Sequence, residues 1–532
     1  MELVTLWTRI RNLFIEGGAK VGLGKTLGNV TDDSRVALPA SEVARIKELK
    51  QYYLDDFDKV IYKNSYGELR QRQFHSINIT KLASRRLASL IFNEQCSVKV
   101  SDNNTQMFLD SVLRDNDFYL TFETYLEKFI ALGSGCIRPY VSHNKIKLAW
   151  ATADQVFPLE ANTNEVTQVA IASKTMKVEN HANIYYTLLE FHQFDEAKGT
   201  YTVTNELYRS SQKDEVGIQV PLDSIQEYEG LAESVTIPAD KPLFAFYKNA
   251  GANNKCLESP MGLGLIDNSK TTVDAINRTH DQFIEEVRKG QRRIVVPEEW
   301  LKMRTTRARH GQQDTAHPLM FDADETVYQG MYGDPSEIGF HDVTTDIRVE
   351  QYTQTMDFFL HEFENQTGLS QGTFTQSPSG VQTATEIVTN NSTTYQTRSS
   401  YLTMVEKTIK ALVNAILELA QCYQLFDDGK PKWTGDINSI ETTVDFNDGV
   451  FIDQDAQFKN DISAVSAGVL PEKEFMKRNY NLSDSEADKW AEELKNEKVQ
   501  PAADYEQFNP LKDGDVDGSA TTKNAEESKE DN

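Results

Sequence analysis

Residues 370–386, "SQGTFTQSPSGVQTATE", form a polar stretch between two strongly patterned segments. Phe374 and Val381 are its only large apolar residues, and no charge occurs before Glu386. Apolar residues at helical spacing precede it: Tyr352, Met356, Phe359, Leu360 and Phe363. A second such series follows it: Leu402, Val405, Ile409, Leu412, Ile416, Leu419 and Tyr423. The pattern predicts helices over about 346–369 and 382–425, joined by an uncharged, flexible loop.

Another helix is predicted upstream, over 263–289. Its apolar stripe consists of Ile266, Val273, Ile276, His280, Phe283, Ile284 and Val287, and Gly290 suits the C-terminal cap. At 1.5 Å per residue this helix is roughly 40 Å long. A histidine on such a stripe is typical of a packed, hydrogen-bonded side chain, so His280 is not predicted to be functional.

The rest of the chain changes period several times. Residues 41–128 are mainly helical in pattern, whereas about 135–250 alternate apolar and polar residues, which predicts an antiparallel β region. Short strands and loops are predicted over 291–345. Residues 455–498 indicate a small helical unit, in which Ser483 and Glu486 have the spacing of a capping box. The fold class is therefore predicted as α+β.

Composition limits the possible functions. The 532 residues carry a net charge of −26, which disfavours tight wrapping of DNA by phosphate neutralisation. Four scattered cysteines form no CxxC pair, which argues against a disulfide framework or structural zinc and favours synthesis in a reducing cytoplasm. No apolar run is long enough to span a membrane. The first eighteen residues predict an amphipathic helix rather than a signal peptide; it docks on its own protein or, as the alternative, on a membrane surface.

Two motifs imitate ligand sites. "GAKVGLGKT" (18–26) approaches a phosphate-binding loop, but Ala19 occupies the position of its first glycine, so a flexible linker is the preferred interpretation. "DGDVDGSATTKN" (513–524) approaches a calcium loop, but Asn524 replaces the bidentate glutamate, and an acidic, disordered tail is preferred. No catalytic spacing, cofactor site or metal site is predicted.

A concentrated basic segment stands out against the acidic background. Residues 288–310 contain eight Lys or Arg, including Arg292, Arg293, Arg304 and Arg307, and only two acidic residues, Glu298 and Glu299. Two interpretations stay open: a solvated face, or a contact with an acidic partner or a DNA backbone.

The order of several segments resembles bacteriophage portal proteins, the head-to-tail connectors of long-tailed phages of Gram-positive hosts. The similar segments are "SINITKLASRRLASLIFNE" (76–94), "GSGCIRPYV" with "KIKLAW" and "ADQVFPL" (133–159), "KPLFAFYKN" with "SPMGLG" (241–264), "SGVQTATEI" (379–387) and "FIDQDAQFKNDISAVSAGVLPEKEFMKRNY" (451–480). Together they touch most of residues 60–495, and their order is more specific than any one of them.

The resemblance implies a portal-type architecture. Its parts would be N-terminal helices and a β-rich wing (1–262), a first stem helix (263–290), a small α/β clip (291–345), a second stem helix (346–370), a tunnel loop (371–381), a long wing helix and following segment (382–440), a helical crown (441–498) and a disordered acidic tail (499–532).

The resemblance also implies a function. The chain would form a ring, usually of twelve subunits, at one capsid vertex of the virion, and double-stranded DNA would pass through it during packaging and ejection. Partners would be the terminase motor, the head-completion or neck adaptor and the major capsid protein, with no membrane. Twelve copies would carry about −300 formal charges, which repels phosphate.

The site residues implied by the resemblance fall into two groups. Tunnel-loop residues lining the DNA channel would be Thr373, Thr375, Gln376, Ser377 and Ser379, and clip residues docking partners would be Arg292, Arg293, Arg304 and Arg307. The alternatives are another structural phage protein, such as a minor capsid or head–tail adaptor protein, and a packaging NTPase, which the incomplete phosphate loop disfavours.

Overall fold

The structure is a computed structural model. It describes residues 25–64, 67–93, 95–161, 165–297, 328–331, 340–375, 392–446, 454–480, 482 and 484–499. The chain divides into two compact units, Met1–Asp448 and Gly449–Asn532. Helices and sheets are mixed along the chain, which confirms the α+β prediction.

Seven helices lie in the described part of the first unit. They are α1 (Ala40–Leu54), α2 (Ile79–Ile91), α3 (Asn103–Asp115), α4 (Phe118–Leu132), α5 (Lys270–Lys289), α6 (Val349–Thr367) and α7 (Ser392–Gln421). The strands are β1 (Thr26–Leu27), β2 (Val60–Lys63), β3 (Leu69–Arg72), β4 (Cys96–Val100), β5 (Ser134–Ser142), β6 (Lys145–Thr152), β7 (Val156–Ala161), β8 (Val166–Glu179), β9 (Ala182–Asp195), β10 (Thr200–Ser210), β11 (Gly217–Val220), β12 (Ser234–Pro238), β13 (Ala245–Lys248), β14 (Ile294–Pro297), β15 (Tyr328–Met331), β16 (His341–Asp342) and β17 (Thr442–Phe446).

The predicted β region forms two antiparallel sheets. The larger has the order β1-β11-β10-β9-β8-β7, with β12 also pairing with β10, and the smaller has the order β13-β5-β6. Consecutive strands pair as neighbours from β7 to β10, which is why period-two alternation and turn residues were sufficient to predict them.

The region predicted as mainly helical also contains strands. Four helices, α1 to α4, are observed there, but β2 and β3 form a hairpin and β4 pairs with β17, more than 340 residues away in sequence. A local pattern does not report a pairing of this kind, because the partner strand is remote. Strand β17 belongs to the first unit, so the helical unit begins after it. The predicted crown (441–498) includes the residues that form β17.

Helix α7 is the central element of the core. Val405, Ile409, Leu412 and Ile416 are all at most 1% exposed, as the 3/4 spacing predicts. The helix packs against β5, β13 and β17, so it joins the β13-β5-β6 sheet to the β4–β17 pair.

Helix α5 is shorter than predicted, beginning at Lys270 instead of 263, so its 20 residues span about 30 Å. The preceding "GLG" passes directly over the end of α4. A Cβ on Gly262 would lie 2.3 Å from the Gly133 carbonyl oxygen, and one on Gly264 would lie 2.5 Å from that of Ala131. These glycines allow two backbones to touch, which is why the segment is not helical.

The second unit contains three described helices: α8 (Gln454–Ser466), α9 (Glu472–Tyr480) and α10 (Asp484–Val499). Aromatic contacts join them, with ring centroids 5.6 Å apart for Phe458 and Phe475 and 5.7 Å for Tyr480 and Trp490. The helical pattern is therefore confirmed. The proposed cap residue Ser483, the calcium-like segment 513–524 and the N-terminal residues 1–24 lie outside the described residues.

Candidate functional site

Helices α5 and α6 form an antiparallel pair. Thr272 donates a hydrogen bond from its hydroxyl to Gln366 Oε1 at 2.9 Å near one end. The rings of Phe283 and Tyr352 are 5.3 Å apart further along. At the other end the Arg348 guanidinium donates two hydrogen bonds to the Glu286 carboxylate, at 2.8 and 3.0 Å. Residues later in α5 contact residues earlier in α6, so the two helices run in opposite directions.

Polar contacts hold α5 against the preceding helices. The Tyr52 hydroxyl donates to Asp274 at 2.6 Å, and the Arg72 guanidinium donates to both Asp281 oxygens at 2.6 and 2.7 Å. Burial alone would raise the pKa of Asp281, but the hydrogen bonds from Arg72 and the His75 amide outweigh it and the pKa is lowered. His280 lies 3.3 Å from the His75 carbonyl oxygen, in agreement with its predicted packed role.

A small sheet joins the far ends of α5 and α6. Strand β14 pairs in parallel with β15 and antiparallel with β16. Two of the four predicted docking arginines lie beside it. Arg292 Nε is 3.3 Å from Asp342 Oδ2, with 67% of its side chain exposed, and the Arg293 amide donates to the Thr344 hydroxyl. Arg304 and Arg307 lie outside the described residues, so the docking assignment stays a prediction.

The described part of the basic segment is partly neutralised by acidic neighbours. Arg288 and Lys289 both contact Glu285, at 2.9 and 3.8 Å, and Arg292 faces Asp342. Of these contacts, only the Arg292–Asp342 pair is exposed on both sides, at 67% and 42%, so water can replace Asp342 there at little energetic cost.

The loop after α6 begins with a sharp reversal. Gly368 adopts the left-handed conformation, with φ +71°, and ends the helix as predicted. The Thr397 hydroxyl donates to the Gly368 carbonyl oxygen at 2.7 Å, and a Cβ on Gly368 would lie 2.3 Å from the same hydroxyl. A glycine is required here both by backbone conformation and by the close approach of α7.

A buried carboxylate organises residues 372–375. The Glu364 side chain is fully buried, and it accepts the Phe374 amide at 2.6 Å and the Thr375 and Gly372 amides at 3.4 Å. His361 Nδ1 lies 3.2 Å from the same carboxylate. The carboxylate therefore supplies hydrogen-bond acceptors to backbone amides of this half-buried turn, most closely to that of Phe374.

The two described channel-lining candidates use their hydroxyls within the loop. Thr373 donates to the Ser370 carbonyl oxygen at 2.6 Å, and the Gly372 amide donates to the Thr375 hydroxyl at 3.1 Å. Both residues are half-buried. Gln376, Ser377 and Ser379 lie outside the described residues, so the assignment of all five to a channel stays a prediction.

Paired hydroxyls join the start of the loop to α7. The Ser370 amide donates to Thr394 Oγ1 at 2.8 Å, the Thr394 amide donates to Ser370 Oγ at 3.2 Å, and the two hydroxyl oxygens are 2.9 Å apart. Phe374 packs near Phe363, with ring centroids 6.0 Å apart. We define Glu364, Ser370, Phe374 and Thr394 as the loop base; together they fix where the polar stretch leaves the core.

Sequence reasoning had not identified Glu364, although a signal was present. It lies four residues after Leu360 and directly after Phe363, so a carboxylate falls on the apolar stripe of its helix. A charge on a buried face requires partners, and the polar stretch that follows supplies the backbone donors.

The remaining candidate motifs do not form ligand sites in the described residues. Lys25 Nζ is 2.5 Å from the buried Asp33 carboxylate, and Thr26 begins β1, so the linker interpretation of 18–26 fails for its last two residues. Within the described ranges, no group of three His, Cys, Asp or Glu could hold a metal ion. No helix described there is long and apolar enough to cross a membrane.

Comparison with known proteins identifies the class to which this arrangement belongs. The sequence pattern of a family described as "Phage portal protein, SPP1 Gp6-like" matches residues 39–500. The chain belongs to this phage portal protein family, which is structural rather than enzymatic.

Several solved structures are similar to the chain, and one of them illustrates the low sequence identity. It is described as the neck of a native GTA particle computed with C12 symmetry; it is 10% identical, covers 86% of this chain and 95% of its own, and has a TM-score of 0.41. A TM-score this low carries no argument about function. No curated protein matches the chain.

Proposed function

We propose that this chain is the subunit of a ring, of twelve copies, that conducts double-stranded DNA at the head–tail junction of a phage virion. Family membership supports a portal role and a virion-associated location. The observation that carries the proposal is the order of the described elements along the chain: α5, the sheet of β14, β15 and β16, α6, the loop base and α7.

Electron microscopy of the purified protein tests the ring. Particles with rotational symmetry and a central hole are expected. A monomer or an open filament at the concentrations used for imaging would contradict the proposal, and would favour another structural role in the particle.

Five residues are proposed to line the channel: Thr373, Thr375, Gln376, Ser377 and Ser379. The loop base supports this, because Glu364 and the Ser370–Thr394 pair fix where the polar stretch leaves the core, and residues 371–379 carry no charge. Uncharged polar side chains offer hydrogen bonds without ion pairs that would retain moving phosphate.

Lysine substitutions test the channel assignment. Thr375→Lys with Gln376→Lys should leave rings intact but slow packaging or alter DNA retention, since twelve loops would gain phosphate-binding charges. Thr375→Val is the matched control, because it removes the hydroxyl that accepts the Gly372 amide without adding charge. A cysteine at position 377 should also crosslink to a modified DNA during packaging; normal packaging by the lysine variant together with no crosslink contradicts the assignment.

The clip arginines are proposed to dock the packaging motor and the neck proteins. Changing Arg292, Arg293, Arg304 and Arg307 to Glu should weaken partner binding most at low salt and leave ring assembly unchanged. The matched control is reversal of Arg85 and Arg86, which are exposed on α2. Normal partner binding by the quadruple variant would make the segment a solvated face.

A further inference from the structure

A cleft of about 810 Å³ lies on one face of the larger sheet, and the proposed function does not use it. In the register of β9 and β10, Glu190 is opposite Asn205 and His192 is opposite Val203, so these four residues share that face. Strand β12 extends the floor, while β5, residues 226–231 and the C-terminal end of α7 with the residues after it form the walls.

The floor contains one ring nitrogen without a partner. The Tyr201 hydroxyl oxygen lies 2.9 Å from His192 Nδ1. A hydrogen bond between these two atoms leaves Nε2 as the atom of the ring that needs a partner. Burial, with a smaller contribution from Arg138, keeps the pKa of His192 well below its usual range, so the ring is neutral. Nε2 has no partner among the described residues.

The floor also presents one unpaired acceptor. Asn205 is 5% exposed, and its Nδ2 donates to the Ala232 carbonyl oxygen at 2.7 Å, but its Oδ1 has no partner in the described chain. Buried polar atoms left unpaired cost about 1–3 kcal/mol each, and native proteins rarely contain them. An occupant that supplies a donor to Asn205 removes one of these costs, and one that also forms a hydrogen bond with His192 Nε2 removes both.

The walls define the rest of the occupant. Apolar side chains line the cleft: Val203, Val235, Ile237, Leu243, Leu419 and Leu425. Arg138 Nη2 donates to both oxygens of the Glu190 carboxylate at 2.6 Å, so these two charges offset each other. Glu229 and Asp427 add negative charge to the lining. The matching chemistry is an apolar segment with a buried N–H donor and basic residues beside it.

We propose that residues 1–16 of the same chain bind in this cleft. The segment has apolar residues at helical spacing (Leu3, Leu6, Trp7, Ile10, Leu13 and Phe14) and two arginines, Arg9 and Arg11. Trp7 is the side chain that combines an apolar body with a single N–H donor, which suits Asn205 Oδ1. Arg9 and Arg11 complement the negative charges of Glu229 and Asp427.

The pairing of β1 shows that the chain preceding it runs towards the cleft. Thr26 is opposite Ile218, which is opposite Arg209 on β10, and Leu27 lies one step further from the cleft. Traced backwards from Thr26, the chain therefore runs towards Asn205. Asn205 is four residues from Arg209, about 13 Å, and β1 is two strands away, about 10 Å. Residues 17–24 can span up to about 26 Å, so the segment can reach the cleft of its own subunit.

Photo-crosslinking of the full chain tests the location. Trp7→benzoylphenylalanine should crosslink to β10, β12 or residues 226–231, in a product that migrates at the mass of one chain. Thr8→benzoylphenylalanine, on the opposite side of the predicted helix, is the control and should give no such product. Crosslinks to other places, a product with the mass of two chains, or no product from position 7 would overturn the proposal.

Hydrogen exchange supplies a second measurement that does not perturb the cleft. Amides of residues 3–14 should exchange at least about tenfold more slowly than an unstructured peptide, corresponding to about 1.4 kcal/mol of docking. Trp7→Ala should abolish that protection, while Thr8→Ala should preserve it. Unchanged protection in Trp7→Ala, or no protection in the wild-type chain, would contradict docking.

Discussion

The two ends of the α5–α6 helix pair use similar polar side chains in opposite surroundings. At the loop base, Glu364 is fully buried and its partners are backbone amides. At the end next to the small sheet, Glu286 bonds to Arg348, whose side chain is 63% exposed. A buried carboxylate that has no hydrogen-bond partner destabilises the fold, whereas an exposed carboxylate that loses its protein partner is hydrated by water instead. The difference indicates that buried contacts fix the loop base, whereas the ion pair at the distal end can exchange its protein partner for water.

Removal of the buried carboxylate should have the largest effect. Glu364→Ala leaves the Phe374 amide without its acceptor and opens a cavity, so we expect the free energy of unfolding to fall by about 3 kcal/mol. Glu364→Gln, which keeps one acceptor oxygen, should lose less. Denaturant unfolding of the purified protein measures both, with the exposed Glu350→Ala on the same helix as control. Equal stability of Glu364→Ala and Glu350→Ala would contradict the contrast between the two ends.

A methyl group at the turn should have the next largest effect. Gly368→Ala places a side chain at φ +71° and 2.3 Å from the Thr397 hydroxyl, for a combined cost of about 2 kcal/mol. Gly429→Ala is the matched control: its φ is +61°, but nothing lies within 4 Å of its Cβ position, so only the backbone strain applies. If both variants lose the same stability, the close approach of α7 contributes nothing.

Sequence reasoning recovered what depends on local spacing. The apolar stripe of α6, most of the stripe of α7 and the Gly368 cap follow from neighbours three or four residues apart, and they are observed. Tyr423, predicted as the last residue of the α7 stripe, lies beyond the end of the helix and is 53% exposed. Sequence reasoning did not recover features that depend on contacts between distant segments. The late start of α5 results from Gly262 and Gly264 passing over α4, and β4 is a strand because β17 pairs with it.

The loop base illustrates the same limit within the candidate site. The polar composition of 370–386 predicted a break after α6, and the described residues 368–375 are not helical. The composition did not show that Ser370 pairs with Thr394 or that Thr373 and Thr375 bond to their own loop. Hydroxyls suit both a solvated loop and a hydrogen-bonded base, so only the position of their partners distinguishes the two.

The Arg72–Asp281 pair is less buried than Glu364 and more buried than the Glu286–Arg348 pair, and its contribution to stability should depend on pH. Its side chains are 17% and 9% exposed, so Arg72→Ala should cost about 1.5 kcal/mol at neutral pH, less than a fully buried pair. The folded-state pKa of Asp281 is lowered, so its stabilisation is present above the unfolded pKa near 4 and is lost as pH falls through the folded value. The difference between wild type and Arg72→Ala should therefore shrink below about pH 4. A difference that is constant from pH 7 to pH 3 would contradict this role.

The exposed pair at the distal end should give the smallest effect. Glu286 and Arg348 form two hydrogen bonds, and the pKa of Glu286 is lowered chiefly by the bond from Arg348, yet water reaches both groups. Water replaces the partner when either is removed, so Arg348→Ala, Glu286→Ala and the double variant should unfold at midpoints close to that of the wild type. A double-mutant cycle in denaturant at low and high salt measures the coupling, which should vanish at high salt. If the coupling equals that of the Arg72–Asp281 pair at both salt concentrations, the distal end is as fixed as the loop base, and its arginines are held in the fold instead of being available to a partner.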